Sequence, residues 1–202
     1  MKVALLFGSF NPIHEGHLSI LRYLLQHTEA DEVRLIVSPE SPFKEGQGLL
    51  DNAAERLSDA RAAVAAAGLA IDVSDVEFGL PAPRYTIRTL RYLQGTEPDN
   101  DFVLVMGGDN IESIERWYHG DEILRDFEIW VYPRPGSDAA APTVERLNAL
   151  GPDACKGITL FAEAPQNDIS STRIREARAA AGSPLDICAR CPQRRDSEDI
   201  VL

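Results

Sequence analysis

No apolar run in this 202-residue chain approaches the length needed to span a bilayer, and its first residues read as a strand, not as a signal peptide. A cytoplasmic protein with no membrane partner is expected. Basic residues are in deficit, 20 Lys and Arg against 32 Asp and Glu, for a net charge of −12. Nonspecific nucleic-acid binding rests on neutralising phosphates with such residues, so no nucleic-acid partner is expected. Cysteine is scarce: Cys155, Cys188 and Cys191. The last two have CxxC spacing, but no second pair and no histidine beyond His119 accompanies them, so free thiols are expected and no protein-held metal. There is no internal repeat, and the length suits one domain with a substantial core.

Against these absences stands one dense segment. The apolar run 3–7 runs into Gly8-Ser9-Phe10-Asn11-Pro12-Ile13-His14-Glu15-Gly16-His17, and Leu18, Leu21, Leu24 and Leu25 follow at helical spacing. This reads as a buried strand, a turn, and two histidines at the start of a helix. Unpaired N–H groups and the helix dipole favour an anion there, so Gly16 and His17 would lie where a phosphate is at home. Two imidazoles three residues apart can converge on that phosphate as donors. Taken singly, each histidine would be a capping or surface residue.

A second anion-binding candidate is Ser170-Ser171-Thr172 ahead of Ile174, Ala177 and Ala181. The hydroxyl residues suit a helix N-terminus, and Arg173 and Arg175 add charge. Alone, this too would be a capped helix with solvated arginines. A further buried strand, 101–106, runs into Gly107-Gly108-Asp109-Asn110 and then Trp117-Tyr118. A carboxylate at a strand's C-terminal end can accept from ribose hydroxyls, and Asp109 could equally cap a helix.

Strands are expected near 2–7, 32–37, 101–106, 127–132 and 157–161, and helices near 16–27, 51–67, 84–94 and 171–181. That alternation implies an α/β, Rossmann-like, doubly wound parallel sheet in a single domain. Residues 136–142 read as a loop or mobile linker.

His14-Glu15-Gly16-His17 resembles the HxGH signature of a nucleotidyltransferase superfamily, and Ile169-Ser170-Ser171-Thr172-Arg173-Ile174-Arg175 matches its ISSTxIR element. The stretch from Gly107 to Trp117 is similar to the GxDxxxxxxxW pattern of bacterial nicotinate-nucleotide adenylyltransferases, Ala82 to Leu90 to their PSYTxxTL element, and Arg134-Pro135-Gly136 to their RPG element. Arg84 stands where that family usually has serine. Ser41-Pro42-Phe43-Lys44 resembles a PPHK-like loop with its histidine replaced by Phe43.

The resemblance implies transfer of AMP from ATP to nicotinate mononucleotide, giving deamido-NAD and pyrophosphate in NAD biosynthesis, by direct in-line attack with no covalent enzyme intermediate. Mg2+ would be carried with the ATP phosphates. His14, His17 and Arg175 would be catalytic. Gly8, Ser9, Phe10, Gly16, Lys44, Gly107, Asp109, Ser170, Ser171 and Thr172 would bind ATP, and Tyr85, Thr86, Trp117, Tyr118 and Arg134 the pyridine nucleotide. Alternatives are a nicotinamide-mononucleotide or phosphopantetheine adenylyltransferase, or a noncatalytic nucleotide-binding regulator on the same fold. The domain is expected over 1–187, with 188–202 an atypical, loosely ordered tail unlike the family's usual end; a homo-oligomer is left open.

Overall fold

The computed structural model describes residues 1–40, 52–166, 169 and 171–180. Six parallel strands among these residues form one sheet in the order β3-β2-β1-β4-β5-β6: β1 Lys2–Gly8, β2 Glu32–Val37, β3 Asp72–Ser74, β4 Asp101–Gly107, β5 Glu128–Tyr132 and β6 Ile158–Leu160. The helices are α1 Glu15–His27, α2 Ala53–Ala66, α3 Thr86–Thr96, α4 Gly108–Ile111, α5 Gly120–Asp126, α6 Ala140–Asn148 and α7 Ser171–Ala180.

Strand β1 shows why both faces are covered. Successive side chains point to opposite faces, so Val3 and Leu5 join a core with Leu90 of α3, Ile123 of α5 and Leu147 of α6. Ala4 and Leu6 join a second core with Leu21 and Leu24 of α1 and Leu57 and Ala60 of α2. A strand buried on both sides reads as a continuous apolar run, which is how 3–7 reads in the sequence. Each fully buried leucine contributes about 2 kcal/mol.

The chain order reverses between β1 and β4, which lie side by side with Leu6 opposite Val105. At such a switch point the loops leaving adjacent strand ends diverge and open a crevice, where ligands of open α/β sheets bind. The segment 8–17 leaves β1 here and Gly108-Asp109 leaves β4.

The expected alternation is present, with three short additions, β3, α4 and α5, and one correction. Strand β3 and helix α5 are short and lack a full period of apolar residues, so their sequences give little signal. The reading of 136–142 as a loop is corrected at its C-terminal part, because α6 begins at Ala140. Pro142 falls in the first helical turn, where no intrahelical N–H is required, and Ala140, Val144 and Leu147 bury one stripe. The expectations for the tail 188–202, its cysteines Cys188 and Cys191, Phe43, Lys44 and Ser170 lie outside the described residues. No helix among the described residues is long and apolar enough to cross a membrane.

Candidate active site

The two signature histidines are organised by the start of α1. His14 is its N-cap, and its Nδ1 accepts from the Gly16 N–H at 3.1 Å. The His14 N–H in turn donates to His17 Nδ1 at 3.3 Å, a histidine version of the reciprocal capping box. With each Nδ1 serving as acceptor, the proton of either neutral ring resides on Nε2. Both imidazoles therefore present an Nε2–H donor. The rings are stacked with centroids 3.8 Å apart, and buried His14 Nε2 has no partner within the described protein. Phe10, itself buried and at φ 43°, sets its ring against the edge of His17 at 5.0 Å. A bulky residue in that left-handed region is held there by its surroundings.

Burial, then the neighbouring His14 and Arg134 charges, push the His17 ring down to about 3. Burial and Arg134 lower His14 as well. Both rings are thus neutral donors at physiological pH. In a proton NMR titration of the free protein, the His17 ring resonances are expected to stay flat between about pH 8 and 5. An inflection near 6.5 would contradict this environment. An unfolded chain protonates this ring at 6.5 and the folded one only near 3, so its contribution to stability is present above 6.5 and is lost as pH falls toward 3.

The β4 end supplies the facing wall. Gly107 ends β4, pairs with Tyr132 of β5, and leaves space that a Cβ would take from Asp109 Oδ1 and Arg134 Cδ. That space lets Arg134 Nη1 donate to Asp109 Oδ2 at 3.0 Å. Asp109 therefore lies in the first turn of α4, engaged with Arg134, and Gly107 is the N-cap. A small cleft is lined by His14, Gly16, His17, Tyr132, Arg134 and Ile169, so Arg134 stands with the histidines and away from Trp117. Two neutral N–H donors and a guanidinium around one cleft suit a phosphate.

A second, larger cavity of about 140 Å3 opens on the other side of the β1 end, off Phe7 and Ser9. Tyr85, Thr86, Trp117 and Tyr118 line it together, as does Asn110. Tyr85 caps α3 and Thr86 is its first residue. The Tyr85 and Tyr118 rings stack at 4.3 Å beneath the Arg88 guanidinium, and Trp117 Nε1 donates to Ser113 Oγ at 3.2 Å. Flat aromatic walls of this kind receive a planar ring.

The second motif reaches the first through backbone carbonyls. Ser171 Oγ donates to Pro12 O at 2.9 Å, and Arg175 donates through Nη1 to Asn11 O at 2.6 Å and through Nη2 to Thr172 Oγ1 at 3.2 Å. Ser171, Thr172 and Arg175 are thus brought onto the loop that carries His14. Gly8 passes under the Phe10 ring, with only 2.8 Å between that ring and a Cβ placed on Gly8.

Arg56 and Glu77 are site residues that motif reading misses. Arg56 is buried and donates to Ser9 O, to Ser38 O at 2.9 Å and to Pro39 O at 2.7 Å, tying together the ends of β1 and β2. A signal was available: Arg56 lies on the stripe of Ala53, Leu57, Ala60 and Val64, where an arginine must find buried acceptors. Glu77 is buried beside the aromatic cavity, with Oε1 accepting from Thr89 Oγ1 at 2.8 Å. Among the described residues no three His, Cys, Asp or Glu side chains form a group that could hold a metal ion.

Comparison with known proteins supplies independent findings. A family model described as cytidylyltransferase-like matches residues 5–177. A probable nicotinate-nucleotide adenylyltransferase of Cytophaga hutchinsonii is 44% identical over 137 residues, which cover 68% of this chain and 70% of that one. One of Parvibaculum lavamentivorans is 37% identical, covering 87% of this chain and 92% of its own. In fold, the chain is similar to Plasmodium falciparum nicotinic acid mononucleotide adenylyltransferase complexed with NaAD, with a TM-score of 0.69 at 15% identity over 87% of this chain and 82% of that chain.

Proposed function

Because the chain belongs to the cytidylyltransferase-like family, among relatives that are probable nicotinate-nucleotide adenylyltransferases, we propose that it transfers AMP from ATP to nicotinate mononucleotide, releasing pyrophosphate, as a cytoplasmic step of NAD biosynthesis. The observation that carries this reading is that one segment, 7–17, borders both a phosphate-suited cleft and an aromatic cavity. Two anionic nucleotides bound on either side of it would meet at the β1 end.

A phosphate oxygen of the mononucleotide attacks the α-phosphorus of ATP. The new P–O bond forms as the bond to the β-phosphate oxygen breaks, and the electron pair leaves with pyrophosphate. No protein nucleophile takes part, so positioning and charge stabilisation do the catalytic work. His14 and His17 donate Nε2–H to phosphate oxygens whose charge grows, without changing protonation state. Arg134 meets phosphate charge in the same cleft. Arg175 holds Asn11 and Thr172, and so the approach of the second motif, while Gly107 leaves room for the Arg134–Asp109 pair. Asp109 fixes Arg134 and offers its other oxygen to a ribose. Magnesium enters on the ATP phosphates as part of the substrate, and there it shields their charge from the attacking phosphate. Trp117, Tyr85, Thr86 and Tyr118 hold the pyridine ring.

The test is pyrophosphate release from ATP and magnesium with nicotinate mononucleotide, nicotinamide mononucleotide and phosphopantetheine as separate acceptors. Release with the first in clear excess over the others is expected. Release only with phosphopantetheine would overturn the pyridine reading, and none with any acceptor would favour a binding protein.

A further inference from the structure

The aromatic cavity holds a charge that its flat walls do not explain. Arg84 lines it, one residue before the cap of α3, with a side chain only 15% exposed. Its Nε donates to the backbone carbonyl of Glu77 at 2.8 Å, which fixes the plane of the guanidinium. Nη1 reaches Glu40 Oε2 at 3.3 Å, a long contact to a side chain 33% exposed. Nη2 has no hydrogen-bond partner among the described residues. One edge of a fixed cation is thus held weakly by a carboxylate that water can take back.

We propose that Arg84 selects the acceptor by the charge of its ring substituent, binding a ring carboxylate in place of Glu40 and discriminating against the corresponding amide. The proposal rests on the reading that a pyridine mononucleotide occupies this cavity. A ring lying between Trp117 and the Tyr85–Tyr118 pair turns its substituent toward the polar part of the lining, whose charged members are Arg84, Glu40 and Glu77 beside the neutral Ser9, Ser38, Thr86 and Asn110. A carboxylate is repelled there by Glu40, and by Glu77 when ionised, unless a cation pairs with it. Among the described residues Arg84 is the cation that lines this cavity, and its fork matches a carboxylate with two parallel bonds. Within a desolvated cavity such a pair is stronger than the solvated pair with Glu40 that it replaces. An amide offers the same fork one neutral acceptor, so the two ligands differ where the binding site is most polar.

Glu77 supports the arrangement. Its Oε2 is buried, and burial pushes its carboxyl up, opposed in part by Ser38, Thr89 and Arg84. A carboxyl whose ionisation is disfavoured by burial contests the guanidinium less than a solvated one would.

The experiment measures calorimetric binding of nicotinate mononucleotide and nicotinamide mononucleotide to the full chain as wild type, Arg84→Gln and Glu40→Gln, with pyrophosphate release alongside. Arg84→Gln is expected to weaken the acid by about tenfold or more while the amide changes by less than about threefold. Glu40→Gln is expected to tighten the acid, because it frees Nη1. It tests the same pair without altering Arg84, should Arg84→Gln fail to fold. Equal loss of acid and amide in Arg84→Gln, or no tightening in Glu40→Gln, overturns the role of Arg84. Wild type that binds neither mononucleotide overturns the proposed function itself, a result distinct from a wild type that prefers the acid with an unchanged ratio in the variants.

Discussion

Replacing His17 with alanine is expected to lower turnover by about 10²–10³-fold, the effect of deleting one aimed donor to a developing negative charge. ATP binding should change far less, because the α1 N-terminus and Arg134 remain in the cleft. The stability cost is expected to be about 1 kcal/mol, since His17 Nδ1 also accepts from the His14 N–H as half of the helix cap. Single-turnover kinetics with ATP binding measured in parallel separate the two effects. Turnover within about tenfold of wild type would sink the assignment of His17 as a charge-stabilising donor. Equal loss of ATP affinity and rate would instead make it a ground-state binding residue.

Gly120→Ala is expected to destabilise the fold by about 1–3 kcal/mol, although it adds one methyl group to a residue outside both cavities. Gly120 is the first residue of α5, and a Cβ there would overlap the carbonyl oxygen of Ile114, a backbone atom that cannot rotate away. The Gly120 N–H donates to Trp117 O at 3.0 Å, and the Trp117 N–H to Ile114 O at 3.0 Å. These contacts close the short loop that presents Trp117 and Tyr118 to the aromatic cavity. Thermal unfolding should fall by roughly 2–4 °C for each kcal/mol lost, and acceptor affinity should fall with it. An unchanged melting temperature with unchanged acceptor binding would mean that the loop has room for the methyl group.

Much of the site is legible in the sequence because its chemistry is local. The capping partnership of His14 and His17 spans three residues, so strand, turn and helix start are written in one segment. Tyr85 and Thr86 at the start of α3 are legible for the same reason. The α/β alternation follows from apolar periodicity, strongest in the doubly buried strands and weakest in β3 and α5, too short to show a period. The start of α6 is obscured by an alanine and proline composition that a linker would share.

Arg134 shows where local reading stops. Sequence resemblance gives it to the pyridine nucleotide, with chemistry suited to that nucleotide's phosphate, but only the structure brings its side chain into the cleft with His14 and His17 and joins it to Asp109. That placement depends on β4 and β5 lying in register, Gly107 opposite Tyr132, and on the empty space above Gly107.

The sequence by itself determined the family and the sheet-and-helix class, because each motif and each apolar period that carries them is written in one local segment. Only the tertiary structure decided which charges share a cavity. The sheet order sets β4 against β1 across about a hundred residues, and Arg56, Arg84 and Arg134 find their acceptors only after β1, β2, β4 and β5 have aligned their ends. Helix and strand patterns are properties of neighbours in the chain, whereas the pairing of buried charge is a property of neighbours in space.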